Sequence, residues 1–189
     1  VAKSAGRERL LKGGLGTASE EMDNGVIVGA VVAVNAGGSI RDPRSGEVVA
    51  APRADGSGFI DLDAHLRSGE PWPESDEDGA DGDGGEPGPE NTTLAVVATN
   101  ARLTKAQANR LATVCHDGFA RTIWPAHGGG DGDVIFVLAT GEIELRHAGR
   151  GALEAMASLA VERAVLRGVR LATGLAGVPS AGEWLTSPW

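Results

Sequence analysis

Three runs of apolar, largely β-branched residues most constrain how this sequence can fold. They cover residues 26–34, 92–99 and 134–139. Runs of this length that end at turn residues are typical of β-strands buried on both faces. They are too short to cross a bilayer, which needs about 18 apolar residues or more. The sequence therefore predicts a sheet of buried strands.

Two longer segments have the apolar periodicity of amphipathic helices. Thr104 begins a capping box with Gln107, and the helix that follows is predicted to end near residue 123, before Trp124-Pro125. A second helix is predicted over residues 152–167. A short strand near residues 47–50 is predicted to return as a hairpin. Buried strands alternating with covering helices place the chain in the α/β class.

The negative charge of the chain is concentrated in one segment. The 189 residues carry a formal net charge of -9, with 26 acidic residues and 17 Lys and Arg. Nine of the acids and none of the bases lie in residues 70–90, so the rest of the chain is neutral. Such a segment cannot offset its ordering entropy by burial, and we expect a mobile loop. The neutral body gives no sign of nucleic-acid or membrane-surface binding.

Cysteine and histidine usage argues against metal centres and disulfides. The single Cys115 excludes an internal disulfide and a Cys-based zinc module. The four histidines have no paired metal-ligand spacing, and His127 with Asp131 and Asp133 is the one cluster that the sequence offers. We therefore expect no metal and no cofactor. Scarce cysteine and no recognisable targeting sequence favour the cytoplasm.

The candidate chemistry lies where the acidic segment meets the second apolar run, at Asn91-Thr92. A hydroxyl residue that heads a buried strand directly after a mobile loop suits a protein that cuts itself before that residue. Cleavage would give Thr92 a free α-amino group, whose ordinary pKa of about 7.7–8.0 suits a base near neutral pH. Thr paired with its own N-terminal amine is a known activated nucleophile.

Two other interpretations of this junction remain open from the residues alone. Thr is common at the start of strands for its β propensity. Asn91-Thr92-Thr93 is also a glycosylation sequon, which would require an exported chain. A mass shift at Asn91 in material from a secreting host would support the second interpretation.

Several motifs of the chain, taken in order, resemble the self-processing L-aminopeptidase/D-esterase family. That family also contains β-peptidyl aminopeptidases and nylon-oligomer (6-aminohexanoate oligomer) endohydrolases. The similar segments are residues 12–19, 31–35, 91–99, 103–106, 116–118 and 131–133. The resemblance implies a four-layer αββα sandwich like that of N-terminal-nucleophile hydrolases. It also implies a precursor cut into parts 1–91 and 92–189 of one domain, and a homo-oligomer.

The resemblance assigns the reacting groups to three positions. Thr92 matches the nucleophile and Asn91–Thr92 the scissile bond, while Asn35 matches an Asn that helps to bind the oxyanion. Loss of one oxyanion donor typically lowers the rate about 10²–10³-fold. Asn35 before Ala-Gly-Gly is also an ordinary strand terminator, and that alternative stays open.

Three further positions match supporting residues of the family. Asp131 and Asp133 match a paired acidic site that orients the hydroxyl and the amine of the nucleophile. Lys3 matches a lysine that supports the nucleophile in the nylon-oligomer branch. Each also has a plainer interpretation, because Asp131-Gly132-Asp133 is a turn pattern and a Lys near a chain end is usually solvated.

The function predicted from this resemblance is a serine/threonine-type aminopeptidase or amidase that hydrolyses short peptides or linear amides through an acyl-enzyme on Thr92. The alternative is a truncated, inactive relic or binding module of the same fold. Two departures from the family motivate it. Family precursors extend well before Val1, and the chain has no Tyr, whereas some members place a Tyr near the nucleophile.

Overall fold

The computed structural model describes residues 1–70, 91–129, 131–145 and 149–187. The mobile loop predicted for residues 70–90 lies outside these ranges, apart from the exposed Glu70. None of the helices within the described ranges is long and apolar enough to cross a membrane.

The main sheet has four strands, and the three apolar runs form three of them. Its strands are β1 (Leu15–Glu21), β2 (Ile27–Ala33), β5 (Leu94–Ala101) and β7 (Val134–Ile143), in the order β1-β2-β5-β7. β2 is antiparallel to β1 and β5, and β5 is parallel to β7. The predicted strands are confirmed, whereas β1 was not predicted, because its glycine-rich beginning indicates a loop.

A smaller sheet contains the predicted hairpin. It consists of β3 (Ser39–Arg41), β4 (Val48–Ala50) and β6 (Ile123–Trp124), in the order β4-β3-β6. The helices are α1 (Leu62–Ser68), α2 (Lys105–Thr122), α3 (Arg150–Arg170) and α4 (Ala181–Thr186), with a 3₁₀ turn at Arg7–Arg9. The capping box predicted at Thr104 and Gln107 is present and begins α2.

Helices α2 and α3 cover one face of the main sheet and pack against each other. Glycines let α3 approach β1 closely, since a Cβ on Gly14 or Gly16 would overlap a backbone carbonyl oxygen of α3. The core between the layers includes Phe119 of α2 and Val161 of α3, both fully buried. The glycines at positions 14 and 16 therefore allow helix α3 to pack closely against the sheet.

The other face of the main sheet is apolar and open. In β2, Val28 and Val32 are completely buried, whereas Ile27 and Val31 are 44% and 42% exposed. The open face also carries Leu15 of β1, Leu94 and Val96 of β5, and Phe136 and Leu138 of β7. The prediction that the strands are buried on both faces is therefore wrong for the described residues, because the two long helices cover only one face.

Candidate active site

Three strand ends meet at one edge of the main sheet. Ala33 near the end of β2 pairs with Leu94 at the start of β5, and Leu94 pairs with Val134 at the start of β7. If the register continues two residues beyond this row, Asn35 and Gly132 lie on either side of Thr92. Residues two apart share a face, so this row would continue the open face.

Thr92 and the carbonyl before it are both in contact with Gly132. The Gly132 N–H donates to the Asn91 oxygen at 3.0 Å. A Cβ added to Gly132 would lie 2.5 Å from Thr92 Oγ1, which is closer than real contacts allow. Gly132 thus polarises the predicted scissile carbonyl and leaves space for the predicted nucleophile, a role that the sequence analysis missed.

The side chain of Asn91 is tightly enclosed. A Cβ on Gly37 would lie 2.9 Å from Asn91 Cγ, and Asn91 forms an isolated parallel bridge with Asp131. Its Oδ1 is buried without a hydrogen-bond partner among the described residues. An unsatisfied buried acceptor costs about 1–3 kcal/mol, so the residue before the predicted cut is held at an energetic cost.

The two predicted acids make different contacts. Asp131 Oδ2 accepts a hydrogen bond from the Gly128 N–H at 2.7 Å and so closes its own turn. Asp133 Oδ1 accepts from the Thr93 N–H at 2.8 Å, next to the nucleophile. The Asp133 side chain is only 6% exposed. Among the described residues, only Asp133 of these two acids forms a side-chain hydrogen bond with the segment that carries Thr92.

Two histidines extend this network. His127 Nδ1 lies 3.0 Å from Asp133 Oδ2, and His127 Nε2 lies 3.3 Å from His116 Nδ1. Burial, followed by the repulsion of His127, lowers the pKa of His116. From the sequence, His127 was a candidate only as a metal ligand. In the described ranges, no group of three His, Cys, Asp or Glu side chains lies close enough together to hold a metal ion.

Lys3 and Asn35 form a second cluster beside the first. Lys3 Nζ donates to Asn35 Oδ1 at 3.0 Å, and the Lys3 N–H donates to the Gly37 oxygen at 2.9 Å. The first bond orients the Asn35 amide. Its Oδ1 faces the lysine, so its NH₂ group, which can only donate, points the other way. Gly37 in turn contacts Asn91, so the two clusters adjoin.

A cleft of about 450 Å³ opens at Lys3 and Asn35. Its remaining walls are mostly aliphatic and include Leu10, Leu15 and Val178. A cleft with an apolar wall and a few polar groups at one end is a common form of small-molecule site. The structure thus brings all the predicted site residues to one edge of the sheet, in two adjoining clusters, while their chemical roles stay predictions.

Solved structures show which fold this chain has. The L-aminopeptidase D-Ala-esterase/amidase of Ochrobactrum anthropi, described as a variant of the Ntn hydrolase fold, superposes with a TM-score of 0.57 at 22% identity, covering 89% of this chain and 43% of that one. A Burkholderia sp. β-aminopeptidase gives 0.56 at 22% identity, covering 84% and 42%. The chain therefore has the fold of the Ntn hydrolases, as the resemblance implied.

The chain belongs to peptidase family S58, which it matches over residues 6–181. An uncharacterized aminopeptidase of Mycobacterium bovis is 38% identical over 193 residues, covering 92% of this chain and 52% of the relative. A 6-aminohexanoate-oligomer endohydrolase of Agromyces sp. is 38% identical over 55 residues, or 29% of this chain and 16% of the relative. The resemblance found in the sequence is confirmed, and the chain spans about half the length of the curated aminopeptidase relatives it matches.

Proposed function

We propose that this protein cleaves itself between Asn91 and Thr92 and then hydrolyses amide bonds with Thr92 as nucleophile. One observation carries the proposal: Gly132 donates to the Asn91 carbonyl oxygen and leaves room for Thr92 Oγ1 beside it. The hydroxyl and the carbonyl that it would attack are thus held against one glycine. Membership of a peptidase family supports the same chemistry.

The self-cleavage proceeds in two balanced steps. Thr92 Oγ bonds to the Asn91 carbonyl carbon, the carbon–nitrogen bond breaks, and the hydroxyl proton ends on the new α-amino group. Water then hydrolyses the resulting ester, which restores the hydroxyl and leaves a carboxylate on Asn91. The Gly132 N–H stabilises the charge that develops on the Asn91 carbonyl oxygen.

Substrate hydrolysis repeats this chemistry with the new amine as base. The α-amine takes the Thr92 hydroxyl proton as Oγ attacks the substrate carbonyl, and it then gives the proton to the leaving amine. Water attacks the acyl-enzyme with the same amine as base, and the acid product leaves. Asn35 donates its NH₂ to the oxyanion, since its Oδ1 is bonded to Lys3.

The proposed substrates are short peptides or linear amides, as the names of the relatives suggest. Their chain would occupy the aliphatic cleft at Lys3 and Asn35. The relatives are about twice as long as this chain. We therefore also propose that another polypeptide segment, or a second copy of this chain, covers the open face beside Thr92. Burial of that apolar face would also favour the predicted homo-oligomer.

The open face also favours a second candidate, an inactive module that keeps the fold. Under this alternative the Asn91–Thr92 bond stays intact, and the apolar face serves binding alone. The candidates differ in one observable, the covalent state of the chain.

Intact-mass measurement of purified protein over days at pH 7.5 tests the proposal. We expect the wild type to give fragments 1–91 and 92–189, and Thr92→Ala to stay whole. Thr92→Ser, which keeps a hydroxyl, should still cut. A wild type that stays whole under these conditions contradicts self-cleavage and supports the inactive module.

A further inference from the structure

Asp133 joins the backbone of the nucleophile to a histidine from another part of the chain. One carboxylate oxygen accepts from the Thr93 N–H at 2.8 Å, and the other lies 3.0 Å from His127 Nδ1. The Asp133 side chain is only 6% exposed, so these two bonds are made in a site that is largely closed on the carboxylate side, while the His127 side chain is 38% exposed. The orientation of Asp133, and through it that of residues 92–93, thus depends on His127.

The hydrogen bonds assign a tautomer to each histidine. An ionised carboxylate only accepts, so His127 must carry its proton on Nδ1. In the neutral ring Nε2 then accepts, and its neighbour at 3.3 Å, His116 Nδ1, must be the donor. His116 packs edge-on against the buried Phe119, with ring centroids 5.6 Å apart, which holds it in place on α2.

The backbone at His127 is held in an unusual conformation. Its φ is 57°, in the left-handed region, which is uncommon outside glycine although His, like Asn and Asp, adopts it more often than most residues. The following turn is fixed by the bond from Gly128 N–H to Asp131. Conformations of this kind persist where the surroundings enforce them, and they cluster at functional sites.

We propose that His127, supported by His116, is a positioning residue that holds Asp133 against the Thr93 amide and so orients Thr92 for attack. The inference rests on the proposed function and adds to it a part of the site outside the Asp131-Gly132-Asp133 motif. The charged groups that face the histidine pair are Asp133 from the loop before β7 and Asp117 from α2. His127 touches no reacting atom and acts through Asp133.

The tautomer can be tested without any activity. In ¹⁵N-labelled Thr92→Ala protein, which stays uncut, long-range ¹H–¹⁵N spectra near pH 7.5 should show the His127 proton on Nδ1. Asp133→Asn in the same background should shift the His127 nitrogens, while those of His65 on α1 should not move. A His127 ring with its proton on Nε2 would overturn the proposal.

The rate of self-cleavage tests the positioning role. His127→Gly removes the donor but tolerates the positive φ, so backbone strain cannot explain its effect. We expect cleavage about tenfold slower, a loss no larger than that expected for Asp133→Asn, because His127 acts only through Asp133. His127→Asn tolerates the same φ and offers an amide N–H near the position of Nδ1, and it should recover most of the rate.

Substrate kinetics separate positioning from binding. After cleavage, His127→Gly should lower kcat for an amide substrate with KM little changed, since His127 does not line the cleft at Lys3. His65→Asn serves as a histidine control outside the cluster and should match the wild type. If the wild type cleaves and His127→Gly cleaves equally fast, this inference fails alone, whereas an uncut wild type fails the proposed function.

Discussion

The two clusters of the candidate site are built in different ways. The cluster around Thr92 is formed by residues 91–93 and 131–133. Backbone N–H groups hold it together: Gly132 N–H donates to the Asn91 carbonyl oxygen, and Thr93 N–H donates to the Asp133 carboxylate. In the Lys3–Asn35 cluster, the bond from Lys3 Nζ to Asn35 Oδ1 joins two side chains, of which Asn35 is exposed. Backbone register thus fixes the nucleophile, whereas flexible side chains provide the oxyanion donor.

This difference separates the two reactions proposed for the site. Self-cleavage acts on a carbonyl that already has a backbone donor, and so it depends on the Thr92 cluster. Hydrolysis of a free substrate needs a donor for a new oxyanion, and so it depends on Asn35 as well. Loss of a contact that holds Thr92 or the Asn91 carbonyl should slow both reactions, whereas substitutions in the second cluster should affect chiefly the hydrolysis.

Gly132→Ala should have the largest effect. The new Cβ would stand 2.5 Å from Thr92 Oγ1 and would displace the hydroxyl or the loop. We expect no detectable self-cleavage by intact mass. Gly129→Ala is the matched control in the same loop, because a Cβ there would have no atom of the described, non-adjacent residues within 4 Å. Equal cleavage in the two variants would refute the contact between Gly132 and the nucleophile.

Asn35→Asp should leave self-cleavage nearly intact and reduce hydrolysis about 10²–10³-fold, the usual cost of an oxyanion donor. The variant keeps the shape and the contact with Lys3 but replaces the NH₂ donor with a carboxylate oxygen. The measurement is kcat/KM on a chromogenic amide, with protein that has completed its cleavage. A similar loss in both reactions would remove the distinction between the clusters.

Asp133→Asn and Asp131→Asn should differ although the two residues stand two positions apart. Asp133→Asn weakens a charge-assisted bond to the Thr93 amide and alters the contact with His127. A loss of about 1.4 kcal/mol in positioning slows the reaction about tenfold. Asp131→Asn keeps an oxygen that accepts from Gly128 N–H, so its cleavage rate should stay near that of the wild type. The reverse order would assign the orienting role to Asp131.

The strands formed by the three apolar runs were predictable from the sequence, whereas β1 was not, and the surroundings of the candidate residues were only partly predictable. The apolar run that became β2 has the same composition whether one face or two are covered, so the exposure of Val31 could not be foreseen. Asp131 and Asp133 are equivalent in a turn pattern, and only the three-dimensional path of the chain separates them. The sequence grouped His127 with Asp131 and Asp133 only as a possible metal cluster, because its spacing does not show that His127 contacts Asp133 alone.

The motif that placed His116 in the resemblance was the one signal available for the histidine pair. His116-Asp117-Gly118 begins eleven residues before His127, and the separation along α2 and the following loop hides their contact. The network joins α2 to the loop before β7 beside the buried Phe119, so it depends on how distant parts of the chain pack. Local patterns in the sequence do not encode it.

Lys3→Met should have the smallest effect of these substitutions, and it tests whether Lys3 acts through the Asn35 amide. Lys3 Nζ orients the Asn35 amide, and its loss leaves that amide in place on the main chain with more freedom. We therefore expect kcat for a chromogenic amide to fall less than in Asn35→Asp, with self-cleavage unchanged. A double variant, Lys3→Met with Asn35→Asp, should be no slower than Asn35→Asp alone, because the lysine acts through the amide. If the two losses multiply instead, Lys3 acts on the nucleophile directly, as the resemblance to the nylon-oligomer branch implied, and the two clusters are then one.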